Sequence, residues 1–259
     1  MEATGTATAQ DAPKLYDFSA TEHVIELDTR PNGAPRLVRH RLRRPTFIEL
    51  EARDRKQAAE TITKGNEEFI ESASSAPDLE LWAKICTEAQ GYLPNGEWLK
   101  GDDLAKVPTE HKLAAIRALY QAEYEVVNDD SLDYFALDGA EIKIKQIVHG
   151  FEIVHTLREM TEAERLEFEG KSYRASFVRG KGKETRTRIQ GNLKAFVDLY
   201  DKLLIRLDGA MFKTGENEAA FTVSEGRVVD SVVWRAVDPI TKRGVINAML
   251  AAQSAVLSD

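Results

Sequence analysis

A spacing of 115 positions ties the two halves of this chain together. His40 and His155, Arg43 and Arg158, Thr46 and Thr161, Glu49 and Glu164, and Lys56 and Lys171 each stand 115 residues apart (161 − 46, for instance), without a gap between the first pair and the last. One matching pair is chance. Five in register, at the point where each segment passes from strand to helix character, indicate an internal repeat. The repeat bounds the fold first, because 259 residues divided into two like modules leave each the size of a small domain.

The local pattern around those positions describes the module. In the first half, residues 23–27 and 37–42 are short strand-like runs on either side of Arg30-Pro31-Asn32-Gly33, whose Asn-Gly pair accepts the positive φ of a hairpin turn. Pro45 and Thr46 then stop the second strand. Thr46 followed by Glu49 is a capping-box pattern, so a helix is expected from about Phe47. In the second half Phe151, Ile153 and Leu157 alternate with polar residues, and residues 140–148 supply the hairpin partner across His149-Gly150. Thr161 and Glu164 repeat the cap.

Further amphipathic helices are expected at 108–127, with Leu113, Ile116, Tyr120, Tyr124 and Val127 on one stripe, and at 239–257. Another in each half carries Leu79, Trp82, Ile85 and Cys86, or Leu193 through Leu207. The fold class is therefore α+β, an internally duplicated module, each copy a β-hairpin followed by amphipathic helices. Residues 1–20 are assigned to a flexible N-terminal arm, since the start of the chain is rich in Thr, Ala, Gly and Gln without apolar period. The first module takes 21–130. The second takes 131–259 and adds a hairpin, 219–223 with 228–234, around Ser224-Glu225-Gly226-Arg227.

Composition narrows the function. With 35 Lys and Arg against 43 Asp and Glu the net charge is −8, which makes nucleic acid an unlikely partner for the body of the protein. No run approaches the roughly 20 apolar residues of a membrane span, and the start of the chain lacks the basic-then-apolar order of a signal peptide. A cytoplasmic location is expected. The single cysteine, Cys86, allows no disulfide within the chain, and its position beside Trp82 and Ile85 suits a core side chain better than a nucleophile.

No catalytic or metal-ligating constellation stands out. His149 and His155 lack a third ligand and the usual ligand spacing. Arg179-Gly180-Lys181-Gly182-Lys183 lacks the order of a phosphate-binding loop, and is expected to be a mobile basic loop between two helices. There is no G-x-S-x-G and no H-E-x-x-H, so no catalytic residue, metal or cofactor is assigned. The basic residues cluster instead. Arg39, Arg41 and Arg43 fall on one face of a strand beside Arg44, and with Arg158, Lys181 and Lys183 they are the candidate partner-binding residues.

The junction His40-Arg41-Leu42-Arg43-Arg44-Pro45-Thr46-Phe47-Ile48-Glu49-Leu50 resembles the strand, L-R-x-P-T and acidic-apolar helix of the small tail assembly chaperones of tailed phages, with an echo at 155–166. That resemblance covers about a dozen residues, and the duplication departs from the single-copy form of those proteins. It implies a phage or phage-like particle protein that binds other structural proteins, as a chaperone or a minor structural subunit, with self-association left open. The alternative is an enzyme or regulatory protein whose site forms between the two modules from residues scattered in sequence.

Overall fold

The computed structural model describes residues 15–29, 36–57, 59–64, 67–71, 75–127, 141–179, 184–214, 217–220, 223–224, 227–228 and 236–255. They form an α+β fold in which strands and helices alternate along the chain. Among the described residues, no helix is long and apolar enough to cross a membrane.

β2 (Glu22–Thr29) and β3 (Arg36–Arg43) make the first hairpin, with Ile25 opposite His40 and Glu22 opposite Arg43. Its Asn32-Gly33 turn lies outside the described residues. β9 (Glu141–Val148) and β10 (Phe151–Arg158) pair in the corresponding register, with Ile144 opposite His155 and Glu141 opposite Arg158. Their two-residue turn has His149 at φ 51° and Gly150 at φ 80°. Positive φ at both central positions gives a turn that matches the right-handed twist of the strands.

Each hairpin becomes a helix at the expected threonine. Thr46 caps α1 (Phe47–Lys56) and Thr161 caps α4 (Glu162–Ser172). Each hydroxyl accepts from the N–H of the glutamate three residues on, whose carboxylate accepts from the threonine N–H. The preceding strand grips that carboxylate as well. Arg43 donates to both oxygens of Glu49 at 2.6 and 2.9 Å, and Arg158 to both of Glu164 at 2.6 and 2.8 Å. These forked, charge-assisted bonds, more than the caps themselves, hold both carboxyls down at about 2.

A two-stranded arm absent from the sequence expectation follows each of these helices: β4 (Ala59–Lys64) with β5 (Glu67–Glu71), and β11 (Tyr173–Arg179) with β12 (Glu184–Gly191). Threonine and β-branched or aromatic residues favour strands there. The basic segment around Lys181 and Lys183 thus connects two strands, not two helices, and residues 180–183 lie outside the described residues.

α2 (Ala76–Ile85) and α5 (Leu193–Leu203) come next, and each runs directly into a strand, β6 (Cys86–Gln90) or β13 (Leu204–Asp208). The helix expected through Leu207 therefore stops at Leu203. β6 returns to β3 with His40 opposite Ala89, and a bulge separates Arg41 from Leu42. β13 returns to β10 with His155 opposite Leu207, and the bulge separates Thr156 from Leu157. Gly91 and Gly209 follow these strands at φ 93° and 78°, where a Cβ would lie 2.7 Å from the Leu37 carbonyl oxygen and 2.2 Å from that of Glu152. Only glycine suits either place.

β7 (Trp98–Lys100) completes the first sheet, in the order β2-β3-β6-β7. α3 (Thr109–Tyr120) packs on α2, and α6 (Pro239–Ala255) on α5. Ala115, Ile116 and Leu119 enter the first core as Val245, Ile246 and Met249 enter the second. The helix expected through Val127 ends at Tyr120. Ala122–Val127 is β8, whose Tyr124 and Val126 alternate with exposed Glu123 and Glu125 and which pairs with β9. β8 thus joins the sheet β13-β10-β9-β8 of the second half, although it precedes the boundary expected at residue 130.

Residues 15–20, within the expected arm, are among the described residues. Tyr16–Asp17 forms β1, parallel to β14 (Ala210–Thr214), and Phe18 is buried in the second core. Residues 1–14 lie outside the described residues. β14 pairs with β15 (Asn217–Ala220). Of the added hairpin expected over 219–223 and 228–234, Ala219 and Ala220 pair instead with β14, while Val223 meets Val228 where β16 (Val223–Ser224) pairs with β17 (Arg227–Val228), and residues 229–235 lie outside the described set.

The halves interlock. β12 pairs with β4, so the two arms form a single sheet in the order β11-β12-β4-β5. Leu193 of α5 is buried in the first core, and Arg243 of α6 forms an ion pair with Asp54 of α1. The caps generate a direct expectation: Thr46→Ala and Thr161→Ala each lower stability by about 1 kcal/mol. Urea unfolding monitored by circular dichroism checks this, and an unchanged midpoint in both variants contradicts the role of the caps.

Candidate functional site

The candidate arginines separate into different tasks. Arg39 and Arg41 lie together on the solvent side of β3. Arg39 Nε donates to Glu26 at 2.6 Å, while Arg41 pairs with Glu88 at 3.0 Å and sits 5.0 Å from the centre of the Trp98 ring. Lys100 shares Glu88 at 2.6 Å. Arg43 and Arg158 are engaged in the strand-to-helix clamps, and Arg43 also reaches the Lys84 carbonyl. Arg44 turns the other way and bridges the halves, donating to the carbonyls of Phe18 and Ala236. Lys181 and Lys183 lie outside the described residues.

Beneath each hairpin is a fully buried histidine. Trp82 Nε1 donates to His40 Nδ1 at 3.1 Å, and because an indole nitrogen only donates, neutral His40 carries its proton on Nε2. That proton is shared with the Tyr92 hydroxyl at 2.8 Å, which reaches His111 Nδ1 at 3.0 Å. His155 has the same tautomer. Its Nε2 donates to Gln146 Oε1 at 3.0 Å and its Nδ1 accepts from Tyr200 at 2.8 Å. Trp82 and Tyr200 stand 118 positions apart (200 − 82), the spacing that also relates Cys86 to Leu204. A lysine lies over each ring, Lys112 at 5.0 Å from Trp82 and Lys242 at 5.5 Å from Tyr200. Burial drives the histidines down to about 4 and about 3, so both are neutral bases in the folded protein at neutral pH.

Between the halves lies a polar junction assembled from residues far apart in sequence. Asp238 caps α6 by accepting from the Ile240 N–H at 2.7 Å. Burial raises its pKa, and Arg44 opposes the rise. Tyr16 and Tyr124 are pushed up to about 12 by burial and then by Asp238. Gly244 lets the Tyr124 ring lie directly on α6, where a Cβ would come within 2.3 Å of it. The Tyr120 hydroxyl is buried here and, among the described residues, has no hydrogen-bond partner. His23 stacks on His149 across the junction at 6.4 Å between ring centres. The cavity lined by Tyr16, His23, Arg44, Tyr120, Tyr124 and Asp238 encloses about 40 Å³, room for a few waters at roughly 10–15 Å³ each.

A groove between the helices of each half shows where they diverge. In the first, Arg53 reaches Asp78 at 2.6 Å and leaves about 20 Å³. In the second, Phe168 stands 115 positions on, in Arg53's place, and turns inward against Phe196 at 5.0 Å. The α4–α5 groove consequently opens to about 380 Å³, rimmed by Glu167, Lys171, Asp198 and Lys202. Cys86 is buried and its thiol is pushed up to about 12 by burial. Among the described residues, no three His, Cys, Asp or Glu side chains converge as metal ligands.

Because His40 and His155 titrate below the unfolded value of about 6.5, the unfolded chain takes up protons first as the pH drops. Their contribution to stability is complete above about 6.5 and is lost as pH falls toward the folded values. Wild-type stability should therefore decline between about pH 6.5 and 4.5, before Glu49 and Glu164 begin to protonate. His40→Gln with His155→Gln should flatten that slope, and an equally steep slope in the double variant contradicts the assignment. Comparison with protein-family models, curated proteins and solved structures finds no match for this chain.

Proposed function

We propose that the protein works by assembling with other protein chains, as a chaperone or structural subunit of a tailed-phage or phage-like particle, and that its halves are copies of one module. One observation carries this reading: residues capable of chemistry recur in matched pairs with the same structural task. His40 and His155 each accept from an aromatic side chain of the second helix after their strand, and Arg43 and Arg158 each grip a capping glutamate. A reacting group is needed once, where substrate binds. A group needed for folding is needed in every copy.

The resemblance of residues 40–50 to tail assembly chaperones supports the particle setting. Arg43, Thr46 and Glu49, which carry that resemblance, are the parts of the clamp. Partner contact falls to the exposed face of Arg39 and Arg41 and to exposed apolar side chains such as Ile48, Leu166 and Tyr173. The alternative, a small-molecule site between the halves, draws on the junction cavity. Its roughly 40 Å³ falls far below the roughly 300 Å³ of an ordinary ligand pocket.

Affinity capture from the native host or particle, followed by mass spectrometry, identifies the partner. Arg39→Glu with Arg41→Glu should then weaken its binding and flatten the salt dependence, because rim charges act mainly through long-range attraction. Arg43 is left intact in this variant to preserve the clamp. Binding unchanged in strength and salt slope removes this face from the interface. Robust turnover of a small molecule by the purified protein overturns the reading altogether.

A further inference from the structure

We propose that the protein associates with further copies of itself, head to tail, by pairing the β5 edge of one chain with the β11 edge of the next. This deepens the assembly reading and rests on it.

The strand order of the arm sheet points to this partner. In β11-β12-β4-β5, the first half contributes β4 and β5 and the second contributes the corresponding β11 and β12. The halves meet through the second strand of one arm and the first strand of the other, β12 against β4. That contact is heterologous and does not use up its own surfaces. Among the described residues, it leaves a second strand, β5, at one end of the sheet and a first strand, β11, at the other. These are the same two kinds of edge that already pair inside the chain. A heterologous contact repeated between molecules closes into a ring or continues as a filament, and strand addition at an open edge supplies main-chain hydrogen bonds.

The register can be carried over. Lys64 opposite Glu67 in the first arm corresponds to Arg179 opposite Thr185 in the second, so first strands differ by 115 positions and second strands by 118. Applying these spacings to the β12–β4 pairs, such as Arg188 opposite Glu60, sets Glu71 opposite Arg174 and Glu67 opposite Val178 in the new junction. Charge favours this pairing over the symmetric ones. β5 reads EEFIE and β11 reads YRASFVR, so antiparallel β5 against β5 sets Glu67 opposite Glu71, which is destabilising, and β11 against β11 places Arg174 opposite Val178 with no acid to meet either arginine. Only the heterologous pairing brings opposite charges together. At the start of β11, Tyr173 is 60% exposed, and Arg174 and Ala175 are exposed beside it.

Sedimentation velocity across a concentration series tests the proposal on the full chain. Wild type should grow in mass with concentration. Glu67→Lys, Glu68→Lys and Glu71→Lys together, or Arg174→Glu with Arg179→Glu, should each weaken self-association by about tenfold or more through opposed like charges. An equimolar mixture of the two variants should associate again, since each then meets its complement. A wild type that stays monomeric to its solubility limit, variants that associate like wild type, or a mixture that stays monomeric overturns the proposal. Should a charge variant fail to fold, Glu71→Cys and Arg174→Cys provide the second measurement. Mixed and oxidised, they should form a disulfide-linked dimer that neither forms alone, and its absence overturns the pairing. A monomeric protein that still captures a host or particle partner defeats head-to-tail pairing while the assembly reading stands. Self-association without any such partner leaves the pairing and removes the role in a particle.

Discussion

The ion-paired cap at the end of each hairpin is the contact on which the rest of the structure depends. The chain leaves a strand and enters a helix within a few residues, and only a rigid junction can fix the angle between them. Arg43 holds Glu49 with a two-pronged fork, and Glu49 in turn closes the cap on Thr46. Arg158, Glu164 and Thr161 do the same in the second half. With that angle set, α1 lies on α2, α2 covers the sheet, and Trp82 reaches the buried nitrogen of His40. The first helix therefore sets where the second can pack.

From this common frame the halves diverge where their side chains face each other. Tyr92 serves His40 from a loop, whereas Gln146 serves His155 from β9 and continues to Thr241 on α6 at 3.3 Å. Lys112 reaches a carbonyl, while Lys242 is buried against Asp201. Arg44, Asp238 and three tyrosines fill the space between the halves with polar groups that a lone module would expose to water. The outer groove follows the same logic, since exchanging Arg53 for Phe168 redirects one side chain from the surface to the core and opens the space it would cover.

An assembly role fits this distribution of chemistry. The two buried histidines are held neutral, Glu49 and Glu164 are fixed in caps, and the Cys86 thiol is buried in the core. What faces outward includes a strand face of paired charges and a few exposed apolar side chains. The proposed assembly would draw on long-range attraction at such charged faces.

What the sequence determined by itself is what depends on near neighbours. The His149-Gly150 turn, the two hairpins and the caps at Thr46 and Thr161 rest on residues only a few positions apart, so period, turn residues and cap spacing reveal them. The matched spacing of the two strand-to-helix junctions was legible for the same reason, since each junction has to satisfy the same local geometry. Tertiary structure decided where helices end. Leu204, Leu207, Tyr124 and Val127 continue helical stripes on paper, yet β10 and β9 offer open strand edges that capture those segments as β13 and β8. It also decided the fate of the arginines, because Glu26, Glu88 and the Ala236 carbonyl that hold Arg39, Arg41 and Arg44 come from other strands or from the far end of the chain. The arm sheet and the polar junction belong wholly to this second kind, since each needs elements more than a hundred residues apart, and local pattern has no term for what a strand edge meets after the chain has folded.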